Sequence, residues 1–211
     1  MRGSLHRTVV GMNLVEIFGQ IDIYLFDQLL KGRISASDRI LDTGCGSGRN
    51  AEFMLRQGWN IWAVDSNPSA VAAFRSTAAD CGRDLEDERV QVAALDALPF
   101  GDGVFDVVVC SAVLHFADDD AHFERMVAEL FRVLRAGGVF FARLASSEGI
   151  SSQVTFTKGR RARLPDGSSR YLVDEQQIVD QTSRYGVLLD PLKTTIVHGQ
   201  RAMMTWVVRK S

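Results

Sequence analysis

Apolar residues in this chain follow two alternating rhythms. Leu14, Ile17, Phe18, Ile21, Leu25, Phe26 and Leu29 recur at helical spacing, which predicts one amphipathic helix over 14–31 that stops at Gly32. A short apolar run then closes on Ile40-Leu41, and glycines at 44, 46 and 48 break its period. Helical spacing resumes through Ala51, Met54 and Leu55. Ile61 to Val64 predicts a second strand, and Asn67-Pro68 a helix start, since proline suits the first turn. Val90 to Leu95 predicts a third strand ending at Asp96. Phe105 to Cys110 is apolar almost throughout, as a strand covered on both faces should be. Phe123, Met126, Val127, Leu130, Phe131 and Leu134 mark a long helix that Gly137-Gly138 should stop, before a fifth strand over Val139 to Ala142.

Strand and helix rhythms in alternation predict an α/β fold with a doubly wound, mostly parallel sheet. The remainder breaks that pattern. Residues 153–173 are polar, with Lys158, Arg160, Arg161, Arg163 and Arg170 around the turn Pro165-Asp166-Gly167, and predict an inserted, projecting β-hairpin. Asp174 should cap a helix ending near Gly186. Val187 to Val197 and Ala202 to Val208 are joined by a link short enough only for a hairpin, so the last of seven strands must run antiparallel. Residues before Leu14 read as loosely held. The expected organisation is one domain over 1–211: an N-terminal helix or lid at 14–31, a core at 38–145, the insertion at 153–173, and a C-terminal helix and hairpin at 174–211.

A formal charge of -2 and a pI near 6.1 give no electrostatic case for nucleic acid or an anionic membrane as partner. No apolar run approaches the ~18 residues of a membrane span, and residues 1–7 lack a secretory apolar core, so a cytoplasmic location is expected. Cys45, Cys81 and Cys110 are too scattered for a zinc site or a disulfide framework. Asp118-Asp119-Asp120 reads as the acidic opening of the long helix; no metal is expected.

The glycine-rich turn between strand and helix would offer backbone N–H groups to a polar cofactor at the strand's carboxyl end. Asp65 follows Gly48 by roughly 17 residues, near the spacing at which a carboxylate on the next strand reaches ribose hydroxyls. A tight turn with no ligand is the plainer alternative. Nicotinamide-dependent oxidoreductases share the general arrangement, but Gly44-x-Gly46-x-Gly48 departs from their Gly-x-Gly-x-x-Gly spacing.

Five stretches in order resemble the class I S-adenosylmethionine-dependent methyltransferases: Leu41 to Gly48, Val64-Asp65, Asp96-Ala97-Leu98-Pro99-Phe100, Phe105 to Val108, and Val133 to Gly138. Ala136 stands where that family often has proline, at a helix exit remote from the cofactor. The resemblance implies a Rossmann-like fold, S-adenosyl-L-methionine as cofactor and S-adenosyl-L-homocysteine as product. It further implies that backbone at Gly44, Cys45 and Gly46 faces the methionine part, with Asp42 near its ammonium. Asp65 would accept the ribose hydroxyls, Ser66 and Asn67 would flank the adenine, Asp96 would take its amino group beside Ala97, and Ser111 would line the methyl-donor end.

Such a transfer is an in-line displacement, so alignment and exclusion of water dominate catalysis. A base is needed only where the acceptor must lose a proton. His115 is the candidate, because an unperturbed imidazole titrates near neutrality; packing over the cofactor is the competing role. Phe18, Tyr24 and Arg143 are the candidate acceptor contacts. The expected partner is a small-molecule methyl acceptor, and its identity and the oligomeric state are unreadable. A non-catalytic module that binds the same cofactor is a third possibility.

Overall fold

The computed structural model describes residues 13–211. The expectation for the residues before Leu14 therefore lies largely outside the described part. The helix expected over 14–31 is two helices, α1 (Leu14–Phe18) and α2 (Ile23–Leu30). Gly19 sits at φ +63°, which ends α1, and Asp22 restarts the chain as an N-cap, its carboxylate accepting from the Tyr24 and Leu25 amides. The apolar spacing in the sequence runs on across Gly19, so periodicity alone concealed the break.

The main sheet is built from β1 (Arg39–Thr43), β2 (Asn60–Asp65), β3 (Val90–Val92), β4 (Phe105–Ser111) and β5 (Leu134–Ser146), all parallel. Next come β9 (Gly186–Leu188), β10 (Lys193–Val197) and β11 (Arg201–Lys210). Spatial order is β10-β11-β5-β4-β1-β2-β3, with β9 also on β11. The last strand is antiparallel to β5, so the seven-stranded plan holds, with short β9 as an eighth. Val187 to Val197 is thus two strands, interrupted around Pro191, which cannot donate to a ladder.

Helices α3 (Glu52–Arg56), α4 (Pro68–Asp80), α5 (Asp120–Val133) and α6 (Glu175–Tyr185) fill the connections. One face of the sheet buries Phe123, Leu130, Phe131, Phe140 and Trp206; the other buries Leu25, Met54, Phe74, Phe141 and Val207. Each such side chain contributes about 1.5–3 kcal/mol by leaving water. Trp206 keeps its indole N–H satisfied by donating to Thr182 Oγ1 at 2.8 Å.

Three expected boundaries move. The third strand stops at Val92, so Asp96 lies four residues beyond its end. The glycines at 137 and 138 lie inside β5 rather than stopping α5, which already ends at Val133. A Cβ on Gly138 would sit 2.8 Å from the Asp106 carbonyl oxygen, so close approach to β4 demands glycine there. The insertion contains the expected antiparallel hairpin and extends it to three strands: β6 (Thr155–Lys158), β7 (Arg161–Arg163) and β8 (Ser169–Tyr171). Gly159 provides a first turn and Pro165-Asp166-Gly167 a second.

Candidate functional site

Strand order reverses at β1, whose neighbours are β2 on one side and β4 on the other. Crevices of wound sheets open at the carboxyl ends of the strands flanking such a point. Asp42, Asp65 and Ser111 all lie at or next to those ends.

The turn after β1 is set by its glycines. Gly44 (φ +65°) packs against Val113: a Cβ there would come within 2.3 Å of that side chain. Gly46 (φ +54°) faces open space instead, with nothing within 4 Å of a Cβ position. The N–H groups expected to be free are taken. Those of Gly44 and Cys45 donate to the Val64 carbonyl at 2.7 and 3.0 Å, and that of Gly46 donates to Asp65 Oδ2 at 3.0 Å. α3 has only five residues and no side-chain cap. The turn therefore presents carboxylates more than donors, which suits a cationic group better than a phosphate.

Asp42 makes that preference specific. It is buried, its Oδ2 has no hydrogen-bond partner, and burial pushes its carboxyl up to about 7, with nearby Asp65 adding to the shift and Arg49 opposing it. A buried acceptor without a partner costs about 1–3 kcal/mol, a penalty that a bound ammonium would remove. Asp65 accepts from Gly46 and from the Asn67 amide at 2.9 Å, which leaves about half of a carboxylate's lone-pair sites for a diol. Ser66 beside it is exposed. The residues present thus fit a ligand with an ammonium near Asp42 and hydroxyls near Asp65.

The remaining expected residues make contacts of their own. Asn67 spends its side-chain oxygen capping α4, accepting from the Ser69 amide at 2.9 Å. Asp96 turns toward α5, 3.7 Å from both His122 Nε2 and Arg125 Nε, because β3 is too short to carry it to the sheet edge. Ala97 is exposed in the same loop, whereas Leu98 is buried with its amide donating to Glu129. Arg132 clamps this loop by donating to the Leu98 and Phe100 carbonyls and to Asp102. Phe18 turns into an aromatic cluster, 4.8 Å from Phe26 and 5.3 Å from Phe53. Cys45 is buried and its thiol is pushed up, first by burial and then by Asp42 and Asp65, so it is inert as a nucleophile.

Beside Ser111 opens a cavity of about 760 Å³. Tyr24, His115 and Arg143, all expected near the acceptor, line it. Ala112, at its floor, is held at φ +65° with its amide donating to the Arg143 carbonyl, a backbone strain of the sort stored at functional sites. His115 is buried and its Nδ1 has no partner; burial, then Arg170, depress its pKa to about 4. The premise that it titrates near neutrality therefore fails. It is a neutral imidazole at pH 7 and a weak base.

Several lining groups escaped the sequence reading. Asp22 pairs with Arg143 at 2.7 Å, and its amide donates to buried Asn50 Oδ1, joining α2 to β5 and to the glycine turn. Tyr24 meets Thr195 of β10 through their hydroxyls at 2.7 Å. The small sheet and the start of β11 add Asp166, Arg170 and Arg201. Asp22 before Ile23 is a legible N-cap, but only once the helix is known to start there.

Comparison with known proteins fixes what the crevice belongs to. Residues 41–142 match the family model described as a methyltransferase domain. That core belongs to the class I S-adenosylmethionine-dependent methyltransferases. A thiol S-methyltransferase from Homo sapiens is 37% identical over 48% of this chain and 40% of its own length. An 18S rRNA (guanine-N7) methyltransferase from Saccharomyces cerevisiae is 30% identical over 49% of this chain and 39% of its own. A solved S-adenosylmethionine-dependent methyltransferase from Methanosarcina mazei superimposes with a TM-score of 0.71 at 20% identity, over 86% of this chain and 96% of that one. The chain spans about two fifths of the curated relatives' length, and their acceptors differ in kind. The cofactor of this methyltransferase family, S-adenosylmethionine, carries the ammonium and ribose diol that Asp42 and Asp65 suit.

Proposed function

We propose that this methyltransferase moves a methyl group from S-adenosylmethionine to a small-molecule acceptor. The cavity beside Ser111 carries the reading: its walls come from α2, the small sheet and the β10–β11 hairpin, and its volume suits a compact molecule, within the 300–1,000 Å³ usual for small-ligand sites. A folded RNA would need an open basic face. When bound, the cofactor supplies a methyl group already activated by its sulfonium.

The chain's own residues then bind, orient and keep the site dry. Asp42 holds the ammonium, and Asp65 the ribose hydroxyls beside Ser66. Gly44, Cys45 and Gly46 shape the turn, with Gly46 leaving room for close approach. The loop through Asp96 and Ala97, clamped by Arg132, borders the adenine side. Ser111 and strained Ala112 floor the transfer point. Neutral His115 lines the cavity and takes a proton only from an acidic acceptor. Among the described residues no helix is long and apolar enough to cross a membrane. All three cysteines are free thiols, which supports a reducing, cytoplasmic setting as part of the proposal.

The test is single-turnover transfer from a methyl-labelled donor to a fractionated small-metabolite extract, in parallel with total RNA. Label in a small-molecule fraction is expected. Label in RNA alone would reverse the reading, and cofactor binding without any labelling would favour a binding module.

A further inference from the structure

We infer that the acceptor carries an anionic group on an apolar body, and that Arg170 and Arg201 recognise that group. This rests on the small-molecule reading above. Four arginines (Arg49, Arg143, Arg170, Arg201) but only two aspartates (Asp22, Asp166) line the cavity. The pairings are uneven. Asp22 is spent on Arg143 and on capping α2. Among the described residues, Arg170 and Arg201 have no carboxylate within 4 Å.

Asp166 feels both. Its oxygen Oδ1 already accepts from the Ser168 amide at 2.9 Å and the Ser168 hydroxyl at 2.6 Å, and these bonds, then Arg170 and Arg201, hold its carboxyl below the usual range. Uncompensated positive charge along a concave wall attracts anions, and guanidinium pairs match planar or tetrahedral oxyanions.

Arg170 is also held in place. Its guanidinium lies 4.9 Å from the Phe116 ring centre and donates to the Ser169 carbonyl. A stacked guanidinium loses less freedom on binding than a free one. Phe116 is 53% exposed, unusual for phenylalanine, and with Leu164, Val197 and Met203 it offers the apolar body a wall. The cofactor's own carboxylate is a separate claimant, but it would lie at the methionine end beside the glycine turn, which is followed by Arg49. Arg170 and Arg201 sit on the small sheet and at the start of β11.

The test uses the full chain saturated with S-adenosylhomocysteine, titrated in low-chloride buffer with benzoate, phenyl phosphate and neutral benzamide by ligand-observed NMR. At least one anion should bind about tenfold tighter than benzamide, the tighter of the two identifying carboxylate or phosphate. Arg201→Gln, at the exposed first position of β11, should remove most of that preference, as should Arg170→Met. Arg163→Met, outside the cavity, should not. S-adenosylhomocysteine affinity should stay constant throughout. Equal binding of benzamide and both anions, or an anion preference untouched by Arg201→Gln, overturns the inference. Failure of S-adenosylhomocysteine to bind the folded wild type would instead remove the methyltransferase reading, and this inference with it.

Discussion

The two halves of the crevice are built by opposite means. The cofactor side is local: Asp42, the glycine turn and Asp65 lie within 24 residues of chain, and adjoining strands settle their geometry. The acceptor side is assembled from distant segments. Asp22 meets Arg143 across 121 residues, Tyr24 meets Thr195 across 171, and Arg161 of the small sheet donates to the Ala117 carbonyl across 44. A wall held by a few long-range polar contacts can be rebuilt without disturbing the sheet. The contrast between thiol and rRNA acceptors among relatives sharing this core is in keeping with that division.

The largest expected effect breaks the wall. Arg143→Met leaves the Asp22 carboxylate buried without its cation and should cost about 3–5 kcal/mol in urea unfolding. Asp22→Asn together with Arg143→Met should recover most of it. If the double variant is as unstable as the single, the pair is not what joins α2 to β5.

Next comes Asp42. Its carboxyl is raised to about 7 from 3.8, so folding penalises the ionised form. The penalty is absent below the unfolded value and complete above the folded one, so the cofactor-free protein should gain stability as pH falls from 7 toward 4. Asp42→Asn should therefore stabilise the cofactor-free protein at pH 8 by roughly 2–4 kcal/mol while weakening S-adenosylmethionine binding. A variant less stable than wild type at that pH would show the carboxylate to be satisfied.

Asp65→Ala should weaken the cofactor by about 1.5–3 kcal/mol in calorimetric titration, since a charged acceptor is lost. It also releases the Gly46 and Asn67 amides, so hydrogen exchange at both should quicken. Phe18→Leu marks the small end of the scale. It should cost no more than about 1.5 kcal/mol of stability and leave the acceptor KM unchanged, because the ring packs on Phe26 and Phe53 outside the cavity. A changed KM would put α1 back into the site.

The same division explains what could be read in advance. Strand, glycine turn and helix are short-range patterns, so the parallel order, the reversed last strand and the strand-tip carboxylates Asp42 and Asp65 were legible. Boundaries failed where tertiary contact decided them. Gly137-Gly138 looked like a helix stop, yet both lie in β5, where Gly138 closely approaches β4. Asp96 looked like a strand tip, yet β3 ends early and α5 takes its carboxylate. His115 was legible as a position but not as a base, since its depressed pKa comes from burial and from Arg170, 55 residues away. Tyr24 and Arg143 could be nominated individually, but nothing local announced Asp22 as their partner.

The central claim is that carboxylates around the glycine turn hold a cationic adenosyl ligand. Calorimetric titration of the wild-type chain with S-adenosylmethionine between pH 6 and 8 tests it directly. Saturable one-to-one binding that weakens as pH falls below 7, as Asp42 takes up a proton, is the expected result. A folded chain that binds no S-adenosylmethionine across that range, or binds it more tightly at pH 6 than at pH 8, would contradict the account.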